Sequence, residues 1–177
     1  MSLRSKCDRA ITAYLQSMGV AGDIYPANSS AEREVPCVTV LSHSGRAEVP
    51  ITGIYRFQVR IRIQGHAGQQ PDETNPEAQR VSLDELVVGV SDAMMQSGDG
   101  DDLQATAAAI TASGRALATD PDAQRAANNA DMVDFTCQSL YDTGLDGGNP
   151  STGGGVDGNY WVEDLLFEAV CCATNTD

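Results

Sequence analysis

Histidine, cysteine and paired carboxylates carry most chemistry near neutral pH. This chain holds few of them in useful arrangements. Its two histidines, His43 and His66, fall in stretches that read as loops. Neither has a cysteine or carboxylate at metal-ligand spacing, so both are expected to be exposed to solvent. A Ser–His or Cys–His pair forms only in the fold, and no nucleophile-elbow pattern announces one. Five cysteines occur, Cys7, Cys37, Cys137, Cys171 and Cys172, an odd number without a C-x-x-C spacing. Most lie in apolar runs, where free cysteine acts as a small buried hydrophobe, so a reducing cytoplasm fits better than a disulfide framework. Gly153-Gly154-Gly155 lacks the lysine and the following helix that a phosphate cradle needs. Asp84-Glu85 and Glu163-Asp164 are adjacent pairs. Neighbours on a helix or a strand do not face each other, so neither is an acid/base dyad. The expectation is no catalytic residue, no cofactor and no metal site, hence no enzyme.

One group of charges does stand together. In Ile54–Gln64, Tyr55, Phe57, Val59, Ile61 and Ile63 alternate with Arg56, Gln58, Arg60, Arg62 and Gln64. A period of two predicts a long strand with one buried and one wet face. Three of the eleven basic residues then line one sheet face. They read as a solvated face or as a docking face for an acidic surface. That surface would be the acidic half of a second copy, because complementary patches on one molecule permit head-to-tail rings. Residues 1–98 carry 9 basic and 11 acidic side chains, and residues 99–177 carry 2 and 14, which divides the net charge of −14 into −2 and −12. This balance argues against phosphate binding and against adhesion to anionic membranes. No apolar run approaches 18 residues, and no basic-then-apolar signal pattern opens the chain. A soluble protein without a signal peptide is expected.

The elements that position these residues follow from pattern. Residues 5–18 predict an amphipathic helix, with Ser5 as N-cap, Asp8 three residues on, and Cys7, Ile11, Tyr14, Leu15 and Met18 on one face. Gly19 and Gly22 end it, and Asp23–Glu34 is a connector. Val35–Leu41 is a β-rich run with Pro36 at its start or on an edge. It pairs with the long strand as an antiparallel hairpin across loop 42–53, which contains Arg46. Gly65–Thr74 is a loop. Asn75-Pro76-Glu77 starts a helix that runs to about Gln96, with Leu83, Leu86, Val87, Val90 and Met94 as its stripe and Val81 alongside. After a turn at 99–102, Leu103–Ala118 predicts a helix weakened by Thr106, Thr111 and Gly114. Asp120-Pro121-Asp122 caps a further short turn. Met132–Tyr141 reads as a strand with Val133, Phe135 and Cys137 on one face. Residues 142–159, with seven glycines, read as a flexible loop, one that orders against a neighbouring subunit in the sharper alternative. Tyr160–Cys172 is the last strand, apolar on both faces and so inside the sheet. Tyr160-Trp161 at its start is a core anchor or an interface anchor. The whole, residues 1–177, is one α+β domain: an antiparallel sheet of about four strands with two to three helices on one face.

The order of elements resembles a known family. The residues that carry the likeness are the N-terminal helix, Val35-Pro36-Cys37-Val38-Thr39-Val40, the long alternating strand with a Gly-rich loop after it, Arg80–Val87, and the closing Tyr160–Val170. Together they resemble tailed-bacteriophage tail terminator and neck (head–tail joining) proteins. The resemblance covers most of 5–98 and 132–172. The alanine-rich 103–128 and the glycine loop are enlargements of the simpler pattern. It implies a virion structural protein whose copies form a ring, commonly a hexamer, that caps the tail tube and meets the head connector. The implied partners are further copies, the tail tube protein and head-connector proteins. It implies no catalytic residues. Arg46, Arg56, Arg60, Arg62, Tyr160 and Trp161 are the interface candidates, with loops 42–53 and 142–159. A head-completion or stopper protein is the runner-up. A cytoplasmic small-molecule-binding α+β domain, or an enzyme on that scaffold, is the alternative from another class, and it needs a concave apolar pocket.

Overall fold

The computed structural model describes residues 1–27, 29, 36–43, 46–49, 53–66, 76–95, 103–143, 151–155 and 158–173. The order is α1 (Leu3–Ser17), β1 (Asp23–Pro26), β2 (Cys37–Ser42), β3 (Arg46–Val49), β4 (Ile54–His66), α2 (Pro76–Met95), α3 (Leu103–Ala116), α4 (Ala123–Asn128), β5 (Phe135–Asp142), β6 (Ser151–Gly155) and β7 (Gly158–Ala173). Single 3-10 turns lie at Leu117–Thr119 and Ala130–Asp134. The α+β expectation holds, with more strands than expected. Five strands stand side by side in the order β1-β2-β4-β7-β5, with β3 on β4 and β6 on β7.

The alternating run is the middle strand of this path. β4 pairs antiparallel with β2 through Cys37↔Gln64 to Ser42↔Val59, and with β7 through Ile54↔Cys172 to His66↔Tyr160. The second interface has 13 register pairs, about 40 Å of ribbon at roughly 3.3 Å per residue. β7 lies between β4 and β5, so the strand apolar on both faces is interior, as its sequence predicts. Phe57, Val59, Ile61 and Ile63 from β4 and Leu165, Phe167, Ala169 and Cys171 from β7 are buried on one face. α1, α2 and α3 cover that face. Cys7, Ala10, Ile11, Tyr14 and Leu15 of α1, Leu83, Leu86, Val90 and Met94 of α2, and Ala107 and Ile110 of α3 join one apolar cluster with the strands.

Several expectations are corrected. Ser2, not Ser5, caps α1: its hydroxyl accepts from the Ser5 N–H. Met18 is the C-cap and 42% exposed, so it leaves the apolar face on which Ile11 and Leu15 lie. The connector 23–34 contains β1, which pairs with β2 in parallel, so the sheet is mixed rather than wholly antiparallel. Gly22 at φ +82° makes this return, and a Cβ there would stand 3.3 Å from the Pro36 carbonyl oxygen. Loop 42–53 contains β3, which extends the β2 side of β4 through Arg46↔Arg56. His66 belongs to β4, not to a loop. Val133 lies in a 3-10 turn, 64% exposed, and β5 begins only at Phe135. Within the segment 142–159 read as a loop, β6 pairs with β7 from Ser151↔Val162 to Gly155↔Gly158. A strand needs no side chains to form its ladder, so glycines dense enough to suggest a loop still pair. The Asn75 cap, Gly98, the turn at 99–102 and the side chain of Val81 lie outside the described residues.

Of the residues that weaken α3 as a helix, Gly114 and Thr111 each make a packing contact. A Cβ on Gly114 would meet Ala10 Cβ at 2.8 Å and Phe135 Cδ1 at 3.1 Å, so α1 and α3 cross where both chains are small. Thr111 Oγ1 accepts from the Cys137 N–H at 2.9 Å and donates within reach of the Ala107 and Cys137 carbonyls. Gln104 donates to the Gln138 carbonyl and Arg115 to the Phe135 carbonyl. These side chains occupy the outer edge of β5, which β7 does not pair.

Candidate functional site

Alternation puts Arg56, Arg60 and Arg62 on the face of β4 opposite the helices, and the register with β7 decides what they meet. Arg62 stands directly across from Asp164 and grips it with two bonds, Nε–Oδ1 at 2.9 Å and Nη2–Oδ2 at 3.0 Å. Arg60 reaches the same carboxylate diagonally at 3.7 Å. Arg56 donates diagonally to Glu168 at 3.0 Å, and its guanidinium sits 5.3 Å from the centre of the Tyr141 ring. The arginine side chains remain 37–44% exposed, so this is a wet, charge-paired ladder rather than a bare cationic patch. Its net charge over the three arginines and two carboxylates is +1. The face expected to be solvated or to dock an acidic surface thus carries acids of its own, Asp164 and Glu168.

Sequence reasoning found the arginines and missed their partners. Asp164 and Glu168 alternate with Leu165 and Phe167, and that signal places them on the wet face. Only the pairing of β4 with β7 makes them neighbours. The other interface candidates are placed by backbone alone. Arg46 lies opposite Arg56. Tyr160 lies between His66 and Gly153, and Trp161 between Gly65 and Thr152. The side chains of all three lie outside the described residues. The structure brings Arg46, Arg56, Arg60 and Arg62 onto one strand pair and puts Tyr160 and Trp161 at its far end.

A carboxylate, a hydroxyl-bearing residue and an imidazole do come together, at Asp8, Ser42 and His43. Asp8 is fully buried, and its Oδ1 accepts from the Ser42 N–H at 2.7 Å, while Oδ2 has no hydrogen-bond partner. Burial pushes the Asp8 carboxyl above its usual pKa, against the pull of the Ser42 hydrogen bonds, Arg4 and His43. His43 is half-buried, and its Nε2 is buried without a partner, so the expectation of an exposed loop histidine fails. The Asp8 carboxylate is sealed under α1 and ties that helix to β2. A substrate cannot reach it without the helix lifting. No sequence spacing signals this group, since 34 residues separate Asp8 from Ser42.

Three cysteines also converge. Cys7 from α1, Cys137 from β5 and Cys171 from β7 are buried. Cys171 Sγ lies 3.8 Å from Cys7 Sγ. Hydrogen bonding to Cys137 and Cys7, with burial added, holds the Cys171 thiol well above its usual pKa. Burial likewise pushes up Cys172. Protonated thiols are poor nucleophiles and poor metal ligands, so the cluster packs as apolar core. Among the described residues no group of three metal-ligating side chains has a geometry that would hold an ion.

The sheet, its single layer of helices and the charge-paired outer face define the chain as an α+β domain with one covered and one wet sheet face. Compared with models of known protein families the chain matches none, and it matches none of the curated proteins either.

Proposed function

We propose that this chain is a virion structural protein of the tail terminator type. Its copies associate into a ring that caps the tail tube and joins it to the head connector. The observation that carries the reading is the β4–β7 ribbon with β6 added to it. A ring closes when one surface of each copy meets a different surface of the next, and the β6–β7 pairs Gly154↔Asn159 and Gly155↔Gly158 continue beyond the last β4–β7 pair to offer one. The ribbon is about 40 Å long, and its last pairs, at Gly65↔Trp161 and His66↔Tyr160, are joined by the glycine-rich β6 and end on the Gly155↔Gly158 pair. Glycine backbone there lets another surface approach closely. The resemblance in the order of elements supports the same reading. The charge-paired arginines do not favour a contact through that face, and weight shifts to the ribbon end and to β3. A head-completion or stopper role uses the same kind of arm at the head side of the neck.

Electron microscopy of lysates from a phage lacking the chain tests this. Free heads beside tails of uncontrolled length support the terminator role. Tails of uniform length beside heads that leak DNA move the chain to the head side of the neck. Normal infectious particles overturn the virion reading. A variant in which a short turn replaces residues 144–157 is expected to keep its helical circular dichroism and its cooperative melt while losing ring assembly in mass photometry.

A further inference from the structure

Helix α2 has an apolar inner face and an outer stripe in which acids flank Val88 and Gly89. Leu83, Leu86, Val90 and Met94 enter the core. On the far side Glu85, Val88, Gly89 and Asp92 recur at i, i+3, i+4 and i+7, which is one continuous outer stripe. Val88 is 56% exposed at its centre. Beside the stripe, between α2 and the end of α1, lies a hollow of about 270 Å³. Met18, Val20, Pro36, Leu86 and Gly89 supply most of its wall, and among the described residues Glu85 is its one charged lining residue. Gly89 has no atom within 4 Å of where its Cβ would stand, so the hollow opens across the helix at that point. Met18, 42% exposed, forms the opposite lip.

We infer that this hollow is a docking site for a basic amphipathic segment of a different protein. The segment seats one apolar side chain against Met18, Leu86 and Gly89 and lays Lys or Arg along Glu85 and Asp92. Charge chooses the occupant. The stripe is acidic on both sides of its apolar centre, so an acidic or neutral segment gains nothing there and a basic one is favoured. A second copy is a poor source of that basic segment, because the described cations other than the exposed Arg4 are engaged at home and a single arginine is no basic segment. Arg56, Arg60 and Arg62 meet Asp164 and Glu168. Lys6 meets Asp134, and Arg125 meets Asp120 and Asp122. Arg115 binds the β5 backbone and Arg9 binds Asn129. The inference does not depend on the virion reading.

The test uses the full chain and three fluorescent synthetic peptides: a Leu/Lys amphipathic helix, its Leu/Glu counterpart, and a Ser/Lys peptide of equal charge. Anisotropy titrations are run at physiological and at high salt. The Leu/Lys peptide is expected to saturate and to bind about tenfold or more tighter than the Ser/Lys peptide. Gly89→Leu fills the hollow and is expected to weaken that binding about tenfold without lowering the melting temperature. Glu85→Lys with Asp92→Lys is expected to turn the preference toward the Leu/Glu peptide. Equal binding of Leu/Lys and Ser/Lys peptides means attraction to the acidic chain as a whole and overturns the inference. So does binding untouched by Gly89→Leu or by the charge reversal, or no binding at all.

Discussion

Two glycines on helices show how a single position reverses a general rule. Replacing helical Gly by Ala normally gains up to about 1 kcal/mol. Gly89→Ala, with open space around its Cβ, is expected to follow that rule and raise the melting temperature. Gly114→Ala is expected to break it. Its Cβ would stand 2.8 Å from Ala10 Cβ, so α1 and α3 must move apart, at a cost of about 1–3 kcal/mol. Thermal or urea melts of the pair give opposite signs if the helix crossing is as described. Asp8 offers a second test at this scale. Its carboxyl is held above the usual 3.8 by burial, so folding favours the protonated form. Its contribution is therefore fullest below the unfolded pKa and is lost as pH rises through the higher folded one. Asp8→Asn keeps an acceptor for the Ser42 N–H and removes the charge. It is expected to flatten the stability–pH curve above about pH 4 and to match or exceed the parent at neutral pH. Asp8→Ala leaves that buried N–H without a partner and is expected to cost about 1–3 kcal/mol at every pH.

Among the elements, α3 acts as a cover for a strand edge. β5 is the last strand of the path, and an open edge invites pairing with another chain. Gln104, Thr111 and Arg115 recur on one side of α3 and bond the main chain of β5 at Gln138, Cys137 and Phe135. Thr111→Val keeps the shape and removes the hydroxyl. It is expected to cost about 1–3 kcal/mol and to speed hydrogen exchange of the Cys137 amide, while Thr111→Ser restores protection. Unchanged exchange in the valine variant would mean that the edge is held by other contacts. At the opposite margin β1 is only four residues long and ends on Pro26, and Gln16 donates to the Ile24 carbonyl. Short length and proline also blunt an edge. Strand addition at either margin is therefore disfavoured, which leaves faces and the ribbon end for partners.

Across the whole molecule, charge is organised by the sheet. The basic residues of β4 and the acidic ones of β7 belong to the near-neutral and the acidic halves of the chain, and they meet across one ladder. The pairs are partly exposed, so each is worth little by itself. A double-mutant cycle on Arg62 and Asp164 is expected to return a coupling of about 0.5–1 kcal/mol, shrinking at high salt. A coupling near zero would show that the bidentate pair is not held in solution. Removing Asp164 takes from Arg60 and Arg62 the one carboxylate that they share. In the parent chain those arginines are charge-paired, while the chain as a whole carries a net charge of −14.

Pattern alone determined much of this protein. The period of two in β4, the apolar stripe of α2 and the doubly apolar β7 follow from which side chains face water, and this is a local property of the chain. The helix cap at Asp122 is equally local, since its carboxylate meets N–H groups two and three residues away. What tertiary structure decided was everything that needs a register or a crossing. The parallel pairing of β1, the capture of glycines 153–155 into a strand, and the neutralisation of Arg62 by a residue 102 positions away depend on which backbone lies alongside. The burial of Asp8 and the close approach at Gly114 depend on where α1 crosses the sheet and α3. The hollow beside Gly89 arises between two helices, and neither sequence contains it alone. Side-chain periodicity encodes the faces of single elements, and long-range contact assigns those faces their partners.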